Sequence, residues 1–269
     1  MKRFLGLTLC GFWISGCALA PALPDVSPEL RAEILSGTGL FGEPVPPAPA
    51  IDVLAVSPEM EAFLAPIKAK KSTTDRLRML VTSMGEAGYL NARYEARLTQ
   101  NAARTFADRA GNCLSYTNLF VALARELSLD ARYQRVDVPP VWDVDNDLFI
   151  RSNHINVIVR DMRRVTLGHE FIMDFNYVEP EADYERWVVS DRHAEALVYA
   201  NLSVEALMND DLRTAFAFQR RALKADPKNP EHWVNLGVIY AQVGSDDLAE
   251  AAFAEGLRKS WRKYSAMAG

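Results

Sequence analysis

The 269-residue sequence predicts an α+β core followed by an all-α tail. Three observations predict it. Cys113 opens an apolar helix directly after the glycine turn Gly111-Asn112. Two stretches of apolar–polar alternation, 154–160 and 170–176, flank a polar turn and read as an antiparallel hairpin. From Ala194 onward the pattern is helical and repeats at 34 residues.

The chain begins as an export signal. Lys2 and Arg3 supply positive charge, and residues 4–14 supply a short apolar core, too short for a spanning helix. Ile14-Ser15-Gly16-Cys17 resembles a bacterial lipoprotein box. That resemblance implies a signal peptide over 1–16 and lipid on Cys17. Ala18, rather than aspartate, follows, which implies the outer membrane, facing the periplasm, within the bacterial cell envelope. The alternative is an ordinary signal cut after Ala18 or Ala20. Either way, Cys10 leaves with the signal, Cys17 leaves with it or carries lipid, and Cys113 is the one free thiol of the mature chain. In an oxidising compartment an unpaired cysteine is a candidate reactive group, or else a small buried hydrophobe.

Residues 17–51 carry seven prolines and read as an extended tether, interrupted by a short helix near 28–35. A domain over 52–190 follows. Ser57-Pro58 and Thr73 or Thr74 are helix starts. Leu77, Leu80, Val81 and Met84 form an amphipathic stripe behind the second. A further short helix is expected over 101–109. Tyr116, Phe120, Leu123 and Leu127 give the Cys113 helix one buried face. Residues 131–138 read as a strand ended by Pro139-Pro140, with a loop over 139–153. In the hairpin that follows, a turn centred near Arg164 sets His154 directly opposite Asp174. Their Cβ atoms would lie about 4.5–5.5 Å apart, on the face away from Ile155, Val157 and Val159. The tail, 194–266, repeats Tyr199, Leu202, Ala215 and Ala222 as Trp233, Leu236, Ala249 and Gly256. Ser203 and Gln219 depart from the pattern. Two such units lean on the domain before them.

Cysteine at a helix start is suited to nucleophilic work, because unpaired N–H groups and the helix dipole favour a thiolate. Histidine and aspartate brought face to face supply a base and its orienting partner. The order Cys113, His154, Asp174 resembles the transglutaminase-like superfamily, a branch of the papain-like cysteine enzymes. The resemblance rests on Gly111-Asn112-Cys113 leading into 120–125, on His154 opening an apolar strand, and on Asp174 preceded by Phe171-Ile172-Met173. Asn156 and Asn176 stand where the family often has an aromatic residue and Ser or Thr. The resemblance implies a Cys-bearing helix packed on an antiparallel sheet and a catalytic Cys113–His154–Asp174 triad acting on amide or peptide bonds. The acceptor, water or an amine, stays open. The tail resembles the tetratricopeptide repeat, which implies a groove for a protein partner.

Two functions follow. One is a lipid-anchored cysteine hydrolase, protease or acyltransferase whose repeats recruit a protein or peptide. The other is a catalytically silent scaffold that uses only the repeat groove. The net charge of −5 gives no reason to expect nucleic acid, and no cofactor is implied. Asp143, Asp145 and Asp147 mimic a calcium loop, but Leu148 replaces its glycine and His154 its closing glutamate. Trp142 reads as a loop residue packed on the core. His169, His193 and His232 read as surface residues.

Overall fold

A computed structural model describes residues 26–91, 93–145, 148–160, 170–175 and 184–267. Cys10, Cys17, Asp147, His169 and Asn176 lie outside the described residues. Two short helices, α1 (Pro28–Ser36) and α2 (Thr38–Phe41), precede the core. Helices α3 (Pro58–Lys68) and α4 (Thr73–Glu86) start at serine caps, Ser57 and Ser72, whose hydroxyls accept from the N–H groups of Met60 and Asp75. The short strand β1 (Arg93–Tyr94) leads to α5 (Ala102–Asp108), capped by Asn101. Strand β2 (Ala110–Gly111) pairs in parallel with β1 and delivers the chain into α6 (Cys113–Glu126).

Helix α6 is the centre of the core, and it is buried on all sides rather than along one face. Every residue from Leu114 to Ala124 is buried. It packs between α3 and α4, through Met60, Leu64, Leu80 and Met84, and the apolar face of the sheet. A helix enclosed all round needs its polar groups answered inside. Tyr133 Oη donates to Asn118 Oδ1 at 2.8 Å, and Thr117 Oγ1 to the Ile155 carbonyl at 3.4 Å.

The sheet is antiparallel, in the order β5-β4-β3-β6, with β3 (Asp130–Asp145), β4 (Leu148–Arg160), β5 (Glu170–Met173) and β6 (Arg186–Val188). Strand β3 is twice as long as expected. It runs through Pro139-Pro140 instead of ending there, and residues expected as a loop form a continuous hairpin with β4. The prolines are tolerated because pairing is interrupted around them. Between Val136↔His154 and Val141↔Ser152, β3 advances five residues against two on β4. The backbones of Trp142, Asp143 and Asp145 lie in this hairpin. Strand β6, in a stretch without strand alternation, pairs with the bulged strand through Gln134, Arg135 and Val136.

The tail consists of α7 (Asp191–Met208), α8 (Leu212–Ala225), α9 (Pro230–Ala241) and α10 (Asp246–Met267), packed as antiparallel pairs. Gly237 is where one pair crosses. A Cβ there would meet the Phe253 ring at 2.5 Å. The two departures in the first unit are buried staples. Ser203 Oγ donates to the Ala215 carbonyl at 2.7 Å, and Gln219 Nε2 to the His232 carbonyl at 2.6 Å. Ala194 and Val198 of α7 enter the core around α6, and Arg135 of β3 pairs with Glu231 of α9 at 2.7 Å. No described helix is long and apolar enough to cross a membrane.

The expected tether is corrected over its described part. Residues 26–51 pack on the tail. Val26, Ile34 and Val45 share its core with Phe216, Trp233 and Tyr240. Tyr240 Oη donates to the Ile34 carbonyl at 2.7 Å, and the Ile51 N–H to Tyr199 Oη at 2.9 Å. Prolines suit such a segment because it lends carbonyls to the tail and needs few N–H groups of its own.

Two of the expected surface histidines are also corrected. His193 is only 15% exposed and bonds Asp226 through Nδ1 at 2.7 Å. His232 is buried, and burial pushes its imidazole down to about 4, against the opposing pull of Asp226 and Glu231. The unfolded chain takes up a proton at His232 near pH 6.5, and the folded chain only near 4. Stability is therefore intact above pH 6.5 and falls between there and 4, by on the order of 3 kcal/mol from this residue. Urea unfolding across that range should show a shallower acid slope in His232→Gln than in the wild type.

Candidate active site

The start of α6 is set by its neighbours in chain order. Asn112 is extended and caps the helix. Its Oδ1 accepts from the Ser115 N–H at 3.0 Å, and its Nδ2 donates to Thr99 Oγ1 at 2.7 Å. Gly111 precedes it with φ +155°, and a Cβ there would lie 2.7 Å from Ser115 Cβ. Only glycine lets the backbone pass so close to the first helical turn. The N–H of Glu95 donates to the Gly111 carbonyl, and that of Asn112 to Leu98, both at 3.0 Å. These bonds lace 94–98 along the turn and bring Tyr94, half exposed, beside Cys113.

Cys113 is half-buried at the first position of α6. Its thiol is not the resting thiolate expected from a helix start. Burial pushes it up to about 11. The N–H groups of Leu114 and Cys113 act in the expected direction, but burial outweighs them, and the charge of Asp174 raises the thiol further.

His154 lies on β4 at the last regular pair before the bulge in β3. It is 3% exposed, and its Nε2 meets Asp174 Oδ2 at 2.6 Å. With the proton on Nε2, Nδ1 is left as the acceptor, and it is buried with no partner among the described residues. Asp174 follows β5 directly. The register differs from the expected one by two residues. Val157 pairs with Met173, which sets Asp174 opposite Asn156 and diagonal to His154. A two-residue shift preserves the face, so the imidazole and carboxylate still meet.

The hairpin thus brings His154 and Asp174 into hydrogen-bond contact, and the field of Asp174 reaches Cys113. Among the described residues no hydrogen bond joins the thiol to the imidazole. Tyr116 of α6 stacks on Phe175 with centroids 5.6 Å apart, which seats the end of β5 one turn beyond the cysteine. Two residues beside the candidate triad were given no role in it by the sequence. Asn156, 2% exposed, donates from Nδ2 to the same Asp174 Oδ2 at 3.1 Å. Its signal was present: a second polar residue on the His154 side of an apolar strand. Tyr94 had none, because only the β1–β2 pairing brings it near. Among the described residues no three His, Cys, Asp or Glu side chains gather to hold a metal.

Residues 61–161 match the transglutaminase-like superfamily and form a domain of that superfamily. Two curated proteins are similar over shorter stretches. The general transcriptional corepressor ssn6 of Schizosaccharomyces pombe is 44% identical over 54 residues, 19% of this chain and 5% of that protein. The general transcriptional corepressor trfA of Dictyostelium discoideum is 34% identical over 79 residues, 29% of this chain and 6% of that protein. The chain therefore spans only about a twentieth of either relative. No solved structure matches.

Proposed function

We propose, from the transglutaminase-like domain at residues 61–161, a cysteine-based acyl hydrolase or acyltransferase acting on amide or peptide bonds. The observation that supports it best is the 2.6 Å His154–Asp174 contact within electrostatic reach of a cysteine at a helix start. Cys113 rests as a thiol. As Sγ attacks the carbonyl carbon, Nδ1 of His154 takes its proton, and Asp174 holds and stabilises the imidazolium. The N–H of Cys113 faces the developing oxyanion. Collapse breaks the C–N bond, the imidazolium protonates the leaving amine, and a thioester remains. Water or a second amine attacks it, His154 takes that proton, and the thiol returns.

In this reading the tetratricopeptide-like tail recruits a protein partner. Lipid on Cys17 anchors the chain at the outer membrane, facing the periplasm. A second reading draws on the absent thiol–imidazole bond and the raised thiol: the fold is retained as a scaffold and no longer turns over. Iodoacetamide labelling of Cys113 at pH 7, followed by mass spectrometry, separates them. The enzyme reading expects His154→Ala to label at least tenfold more slowly than the wild type. Equal rates would end that reading and leave the scaffold.

A further inference from the structure

Away from the site, the N-terminal segment and the tail enclose a groove of about 360 Å³. Its floor is apolar and recessed: Leu35 of α1, Leu223 of α8 and Trp233 of α9, the last only 4% exposed. Its rim is cationic, with Arg220, Arg221 and Lys224 along α8, and no acidic side chain lines it. Several arginines are neutralised, among them Arg31 at the edge of this groove, which pairs with Glu255. Arg125 pairs with Asp191, Arg132 with Asp130 and Arg213 with Glu43. In the groove, Arg220 donates instead to the Val45 carbonyl, and Arg221 to the Ala48 carbonyl at 2.7 Å. Carbonyls hold the guanidinium groups in place and leave their charge intact. Among the described residues no carboxylate pairs with Arg220, Arg221 or Lys224. That is a concentrated positive site on a chain of net charge −5.

We infer that this groove docks an acidic peptide segment of a partner protein, seating an aliphatic or aromatic side chain against Leu35, beside the Trp233 ring that Lys259 covers, and its carboxylates on the α8 cations. The proposal rests on the recruiting half of the function proposed above and is independent of Cys113. The recessed floor favours a peptide over a bilayer. A surface that lies on lipid projects its apolar side chains outward, whereas here they sit below the rim. Arg220 and Arg221 are already held by carbonyls, so little ordering of these two side chains opposes binding.

The test is fluorescence anisotropy on the full chain with a fluorescein-labelled peptide alternating Glu with Leu. A Lys–Leu peptide and phosphatidylglycerol vesicles are the competing probes. Lys224 is exposed, so Lys224→Glu leaves the fold in place. Arg78→Glu, on the distant α4, is the charge control. The expected result is saturable, salt-sensitive binding of the Glu–Leu peptide only, weakened at least tenfold by Lys224→Glu and unchanged by Arg78→Glu. No binding at low salt, equal binding of the Lys–Leu peptide, or capture by the vesicles alone overturns the proposal. Peptide binding indifferent to Lys224→Glu also overturns the groove, while leaving recruitment by another face of the tail standing.

Discussion

Asp174→Asn is expected to slow the reaction of Cys113 with iodoacetamide at pH 7 by about tenfold and by no more than His154→Ala does, because the loss of assisted proton transfer is partly offset by removal of the charge that raises the thiol. Two effects act together. The imidazolium formed when His154 takes the thiol proton loses the carboxylate that stabilises it at 2.6 Å. An asparagine amide can also present N–H to Nε2, which drives the imidazole proton onto Nδ1, the atom that must stay free to accept. The fold should hold, because the Asp174 side chain is 28% exposed and its removal leaves no apolar cavity. The check is a pH–rate profile beside a thermal melt. A wild-type profile in a variant with unchanged melting would detach Asp174 from the cysteine. Asn156 sharpens the comparison, since it donates to the same carboxylate oxygen. Asn156→Leu should shift the profile in the same direction by a smaller factor, having removed one neutral donor rather than a charge.

Removing residues 1–49 is expected to unfold the tail. The truncation takes Val26, Ile34 and Val45 out of the core around Phe216 and Tyr240. At about 1.5–3 kcal/mol for each buried aliphatic side chain, this loss alone approaches the whole stability of an ordinary domain. The Tyr240 hydroxyl and the Arg220 and Arg221 guanidinium groups lose their carbonyl acceptors as well. Circular dichroism and urea unfolding of the truncated chain read this directly. Ile34→Ala is the milder form and should cost about 2–5 kcal/mol. A truncated chain with the parent midpoint would restore the segment to the role of a free tether.

These two outcomes also divide what was legible from what was not. The candidate site was legible as a set of neighbouring residues, of which the structure joins His154 and Asp174. Gly111-Asn112-Cys113 names a tight turn into a capped helix, and the alternation through 154–160 and 170–176 puts His154 and Asp174 on one side of a hairpin. The register was wrong by two, and harmlessly so, because a face repeats every two residues. The extent of β3 was not legible. Two prolines end a strand under local rules, and only a bulge against β4 let this one continue. Burial of His232, and of the whole circumference of α6, likewise followed from neighbours distant in sequence.

By itself, then, the sequence determined the order of the elements and the identities of the chemically able residues: a cysteine at a helix start, a histidine and an aspartate on adjoining strands, and a 34-residue helical repeat. Those are local properties, carried by caps, periodicity and turns. The tertiary structure alone decided the state of the thiol, the partner Asn156 and the fate of the proline-rich segment. Each depends on how much water remains around a group once distant parts of the chain have closed on it. At Cys113 that desolvation outweighs the local field of the helix.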